Sequence, residues 1–170
     1  MEDHVWIKRH DLLYRCDLSI KYHRRRERFF ELVDRFVKIV TVIGSSAVFF
    51  KLADAQMLLA ASFCMLVGST VSLVLQFSSR ATVHSGMSKE WGTLQRDVIA
   101  KCELDDGLIA EFDARAAMLD AQEPCVLRSL VADIQNEMAR AAGEESKIRP
   151  LGIWRQLWMN FFDIAAPAPK

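Results

Sequence analysis

Twenty-three consecutive residues, Ala55 to Phe77, carry no charged side chain. At about 1.5 Å of rise per residue, a helix of this length can cross a hydrocarbon layer about 30 Å thick. A second apolar stretch, Phe36 to Leu52, precedes it, with Lys38 and Lys51 bracketing an uncharged centre from Ile39 to Phe50. Only Ala53 and Asp54 separate the two. Helices joined so closely predict a tight antiparallel hairpin that turns between Leu52 and Met57. Every other segment must then hang from one side of it.

The average composition conceals this division. Over 170 residues the chain is 51% hydrophobic, with a mean hydropathy of +0.08. Charges are nearly absent from 36 to 77 and dense on both sides. Zero net charge and a pI near 6.9 point neither to nucleic acid nor to an acidic substrate. Cys16, Cys64, Cys102 and Cys125 are too scattered for a CxxC pair and read as reduced thiols. Residues 1–35 are too charged for a signal peptide, so the first apolar helix is the expected insertion signal.

Four segments follow from this pattern. Residues 1–35 predict a cytosolic helix with a basic juxtamembrane end. Residues 36–77 predict the transmembrane hairpin, with arms at about 36–52 and 55–77. Residues 78–142 predict a cytosolic helical region. Residues 143–170 predict a linker, a short aromatic amphipathic segment and a disordered tail from Ala165. The fold class is therefore all-α: a membrane hairpin whose long cytosolic helices form a bundle, expected to assemble as an oligomer.

The first segment contains neither Gly nor Pro from Asp3 to Asp34. Ile7, Leu12, Leu13, Cys16, Ile20, Phe29, Phe30 and Val33 recur at roughly helical spacing, and Asp3 is a candidate N-cap. Lys21, Arg24, Arg25, Arg26, Arg28 and Arg35 form a basic run before the membrane. Cations placed there stay on the cytoplasmic side and contact anionic headgroups, at about 1 kcal/mol each. Arg80, Lys89 and Arg96 follow the second arm, whereas the outer turn carries Lys51 opposed by Asp54. This asymmetry predicts an inner-membrane protein with both termini in the cytoplasm. Glu27, Glu31 and Asp34 dilute the basic run, so nucleic acid is not an expected partner.

Small residues gather within the arms as Gly44-Ser45-Ser46-Ala47 and Gly68-Ser69-Thr70, with Ser72 one turn on. They allow close helix approach inside the hairpin. Alternatively, their hydroxyls line a water-filled centre between copies, or bond back to their own helix.

Beyond Phe77, Val83, Met87, Trp91, Leu94 and Val98 form a sustained apolar stripe, which Leu104, Leu108, Phe112 and Leu119 extend. Asp105-Asp106-Gly107 reads as a break or cap, and Glu123-Pro124 as the start of a new helix. That helix carries Leu127, Leu130, Val131, Ile134 and Met138 on one face and stops at Gly143. Trp154 and Trp158 mark a segment too short to span, suited to the membrane interface or to packing on the bundle. Residues 78–170 hold 11 basic and 14 acidic side chains, complementary to the basic first helix.

No catalytic constellation is present. The sequence lacks a GxxxxGK loop, GxGxxG, GxSxG and an HxxxH pair. No enzyme activity, cofactor or metal is expected. His23 and His84 are either polar groups satisfied at an interface or titrating groups in a cytosolic vestibule.

Tyr14, the run Tyr22-His23-Arg24-Arg25, and Arg80-Ala81-Thr82-Val83-His84 followed by Trp91-Gly92-Thr93-Leu94 flank the hairpin. In layout and in these motifs the chain resembles the SLATT family, two-transmembrane effectors associated with bacterial nucleotide-signalling antiviral systems. The resemblance implies packing roles for Tyr14, Tyr22, His84, Trp91 and Leu94. It also implies a homo-oligomer that perforates or disrupts the inner membrane, answering a separate sensor protein or a cyclic-nucleotide signal. A non-pore scaffold, or a phage exclusion or holin-like protein whose bundle binds a partner, is the alternative.

Overall fold

The computed structural model describes residues 2–44, 46, 54–101 and 104–165. Ser45, most of the outer part of the first arm with the expected turn residues Leu52 and Ala53, Cys102, and the tail after Ala165 lie outside them. All regular structure among the described residues is helical: α1 (Glu2–Gly44), α2 (Ala55–Leu75), α3 (Phe77–Ala100), α4 (Asp106–Gln122), α5 (Arg128–Ala141), a 3-10 turn (Glu145–Lys147) and α6 (Ile153–Trp158). The chain divides into two compact units, Met1–Arg25 with Ser85–Lys170, and Arg26–His84.

Helix α1 runs 43 residues without interruption, since no Gly or Pro from Asp3 to Asp34 disturbs its backbone hydrogen bonds. It already begins at Glu2, so Asp3 lies inside the first turn rather than at the cap. Asp54 caps α2 by accepting from the Met57 amide at 2.8 Å. Asp105 does the same for α4 through Leu108 at 2.7 Å, so the acidic pair is a cap. The expected run to Leu119 is therefore two helices.

Pro124 ends a helix instead of starting one. A residue before proline is pushed out of the α region, and Glu123 sits at φ −66°, ψ 135°. Residues 123–127 stay extended, and α5 opens only at Arg128. That opening lacks a local cap; Asp163, 35 residues away, accepts from the Arg128 amide at 3.0 Å instead. Gly143, at φ +73°, closes α5 with paired bonds from Glu144 N to Ala139 O and from Gly143 N to Arg140 O. This is the Schellman arrangement, in which the αL residue costs least as glycine.

In the first unit, Leu12, Cys16 and Ile20 of α1 pack with Met87, Trp91, Leu94 and Val98 of α3 and with Phe112 and Ala116 of α4. Tyr22, Leu130 and Ile134 form a second cluster, onto which Leu127, Val131 and Met138 fold. The basic first helix meets the acidic later ones through Arg15–Asp120, Arg25–Asp133 at 2.5 Å and Arg25–Glu137 at 3.6 Å.

In the second unit, Phe30 of α1 stacks on His84 of α3, with ring centroids 5.6 Å apart and planes 17° apart. Phe77 lies 6.4 Å from the same ring, and the Arg26 guanidinium sits 4.4 Å over it as a cation–π contact. These contacts bring α1 and α3 together just outside the apolar segments.

Candidate functional site

The apolar segment is the first feature with functional content. Helix α2 spans 21 residues, about 32 Å. Among the described residues one helical stretch, Ala55–Ala100, is long and apolar enough to cross a membrane, and none of its most apolar window is buried. Leu59, Phe63, Leu66, Leu73 and Val74 are each 66% exposed or more. A core helix of a water-soluble domain would bury such side chains, because exposing one costs about 1.5–3 kcal/mol relative to burying it.

The stretch is interrupted at a single residue. Gln76 adopts φ 47°, ψ 53°, the left-handed region that L side chains enter at a cost. Its amide still reaches Ser72 O, and Arg80 Nε donates to the Leu75 carbonyl at 3.0 Å. A cation therefore caps the end of the apolar helix, where the last carbonyls lack helical partners.

The small residues of the arms divide. Gly44 ends α1, and Ser46 donates its amide to Ile43 O at 3.1 Å. Gly68, Ser69, Thr70 and Ser72 lie on α2. Among the described residues, nothing lies within 4 Å of the space a Cβ on Gly68 would occupy. Thr70 Oγ1 bonds back to Leu66 O at 2.8 Å, and Thr41 on α1 bonds back to Val37 O in the same way.

The basic run divides too. Arg24 and Arg28 are exposed. Lys21 pairs with Asp17 at 3.2 Å and Arg35 with Glu31 at 3.2 Å, one helical turn away in each case. Arg25 and Arg26 are engaged within the protein, as described above. Trp154, at 76% exposure, and Trp158, at 45%, stand outward on α6. The segment is held down by Arg128, which pairs with Asp163, and by Ser129 Oγ, which donates to Ile164 O at 2.6 Å. The hydrogen bond from Arg128 holds the Asp163 carboxyl below its usual range.

The bundle also contains a polar node. Glu123, 11% exposed, accepts from Trp91 Nε1 at 2.7 Å and lies 3.0 Å from Nε2 of the fully buried His23. Nε2 of His23 is the donor in the tautomer for which Glu123 accepts. Next to it, the Tyr22 hydroxyl accepts from the Leu127 amide at 3.1 Å. The extended 123–127 segment is thereby tied to α1. Of the five residues expected to pack, Tyr22, Trp91, Leu94 and His84 are buried; Tyr14 is 42% exposed. Nothing in the sequence near Glu123 announced this node, because its partners are 100 and 32 residues away.

Tyr14 instead lines an open cleft of about 870 Å³ between α1 and the end of α5. Elsewhere in the bundle, burial pushes the Cys16 thiol up to about 11 against the opposing effect of Arg15. Arg115, bonded to Asp97 at 3.1 Å, holds that carboxyl down. No group of His, Cys, Asp or Glu among the described residues could hold a metal ion.

Comparison with protein-family models, curated proteins and solved structures finds no match to this chain.

Proposed function

We propose that this chain is a bacterial inner-membrane effector: a two-helix hairpin carries a cytoplasmic helical bundle, and copies assemble to perforate or disrupt the membrane, in antiviral defence. The observation that carries the membrane part is the contrast between α2, apolar and without a buried residue, and the bundle, whose Trp91, Leu94 and Ile134 are almost completely buried. In a chain that packs one region this well, lipid covering the 21-residue apolar helix accounts for its being left without a buried residue.

Two observations support the hairpin with both ends inside. Phe30 before the first arm touches Phe77 and His84 at and after the end of the second, so the chain leaves and returns at one level. Arg80 caps the end of α2 where a cytoplasmic headgroup region would lie. Arg24, Arg28 and Arg35 are then the cations best placed for headgroups, and Trp154 and Trp158 supply an interfacial contact. A hairpin alone encloses no channel, so perforation requires a homo-oligomer, triggered by a separate sensor protein or a cyclic-nucleotide signal. Vesicles loaded with a self-quenched dye test this: purified protein releases the dye once activated, and persistent retention overturns the pore.

The back-bonding of Thr70 favours a second reading. A hydroxyl satisfied within its own helix contributes little to a water-filled lining. The chain would then be a non-pore scaffold or a phage exclusion or holin-like protein, its bundle binding a partner. Blocked infection without loss of membrane potential would select that reading.

A further inference from the structure

The cleft beside Tyr14 has the construction of a binding site. On one side, α1 presents His10, Tyr14, Asp17 and Lys21, spaced four, three and four apart and hence on a single stripe. Opposite, the last turns of α5 offer Ala139 and Ala141, too small to fill the gap. Near the other end of α5 the two helices are bound together by Arg25–Asp133 and Tyr22–Leu127.

The third wall is fixed rather than loose. Asn136, 3% exposed, donates Nδ2 to Arg149 O at 2.6 Å and accepts the Arg149 amide at Oδ1 at 2.7 Å. Both faces of one buried amide thus hold the 144–150 linker away from α1. The turn at Gly143 directs the chain into that position. A wall held this way is formed before any ligand arrives, so little ordering cost falls on binding. The volume lies within the range of small-molecule sites, about 300–1,000 Å³.

The lining selects a chemistry. Lys21, Lys147 and Arg149 outnumber Asp17 and Glu144 among its permanently charged groups, with His10 beside them. Lys147 pairs with Glu144 at 2.9 Å and Lys21 with Asp17 at 3.2 Å, both between partly or well exposed side chains. Exposed pairs of this kind are weak and exchange readily for a better anion. Tyr14 offers the aromatic surface, 42% exposed although it lies beside the core.

We propose that this cleft binds a small organic anion carrying an aromatic ring, with the ring against Tyr14 and the anionic group between Lys21 and Lys147. Both halves of the ligand are required: the ring supplies contact area, and the anion takes the surplus positive charge. The site belongs to the bundle alone and stands whether or not the hairpin perforates a membrane.

The test is ligand-observed NMR and calorimetry on the full chain in mild detergent, with adenosine monophosphate and phenyl phosphate as probes. Adenosine and inorganic phosphate each supply one half of the chemistry. Both aromatic phosphates bind saturably, with Kd of about 1 mM or tighter, and each half-probe binds about tenfold more weakly or worse. Tyr14→Ala weakens adenosine monophosphate about tenfold or more, the loss expected for one stacking contact. A Lys21→Ala/Lys147→Ala double variant does the same. All three residues are at least partly exposed, and an unchanged helical circular dichroism spectrum verifies the fold. No saturable binding of either aromatic phosphate up to about 10 mM overturns the proposal. So does inorganic phosphate binding as tightly as adenosine monophosphate, or Tyr14→Ala leaving affinity unchanged.

Discussion

Replacing Glu123 by alanine removes one carboxylate on which two buried donors converge. Trp91 Nε1 at 2.7 Å and His23 Nε2 at 3.0 Å would lose this acceptor together. Trp91 and His23 are both completely buried, so water cannot easily replace it. Each unsatisfied buried donor costs about 1–3 kcal/mol, which gives about 2–6 kcal/mol for the pair. That is a large part of the 5–15 kcal/mol typical of a folded domain. At about 2–4 °C per kcal/mol for a chain of this size, Tm falls by roughly 10 °C. Glu123→Gln keeps a carbonyl oxygen for both donors and loses only the charge, so it costs about 1 kcal/mol. Thermal unfolding of the full chain in mild detergent, followed by circular dichroism at 222 nm, measures both. Trp91→Phe completes a cycle: in that background Glu123→Ala costs about 1 kcal/mol less, because one stranded donor is gone. A Glu123→Ala variant within about 0.5 kcal/mol of wild type, or strict additivity with Trp91→Phe, refutes the node as a source of stability.

Three further outcomes follow. Gln76→Gly relieves the left-handed backbone at φ 47° and raises stability by about 1 kcal/mol, whereas Gln76→Val lowers it; Tm in detergent distinguishes them. Cys16, with its thiol raised to about 11 from 9.0, holds about a hundredfold less thiolate at pH 8 than an ordinary cysteine. Iodoacetamide at that pH therefore modifies Cys125 in the folded bundle and spares Cys16, as read by peptide mass spectrometry. Asp163 has its folded value held down by Arg128, so their contact stabilises the C-terminal segment above the ordinary carboxylate range and is lost as pH falls through the folded value. Trp fluorescence should report release of α6 only in strong acid, and Asp163→Asn should abolish that acid transition.

The apolar run was legible because length and absence of charge need no tertiary information. The stripe from Met87 to Val98 was legible for a related reason: helical period alone sets one face inward, and Trp91, Leu94 and Val98 are at most 1% exposed. Val83, at the head of the same stripe, is 49% exposed, since period says nothing about where a partner ends. Pro124 misled because proline suits the first turn of a helix as well as it ends one; what decided was Glu123 folding inward toward His23 and Trp91. Distant capping is equally silent in sequence. Asp163 capping α5 and Asn136 holding the Arg149 backbone depend on chain return, not on local pattern. Tyr14 matched a motif read as packing, yet it faces a cleft, because the alanines opposite it leave the space empty.

In the proposed topology the apolar segments enter the membrane as a hairpin with both flanks on the cytoplasmic side. Its most direct measurement is labelling of single-cysteine variants by a membrane-impermeant maleimide in oriented inner-membrane vesicles. One variant retains only Cys125, exposed in the bundle, and the other carries His4→Cys, exposed near the start of α1. Both are predicted to react in inside-out vesicles and to be protected in right-side-out ones. Labelling of the two sites from opposite faces, or recovery of the protein in the soluble fraction after carbonate extraction, would contradict the account.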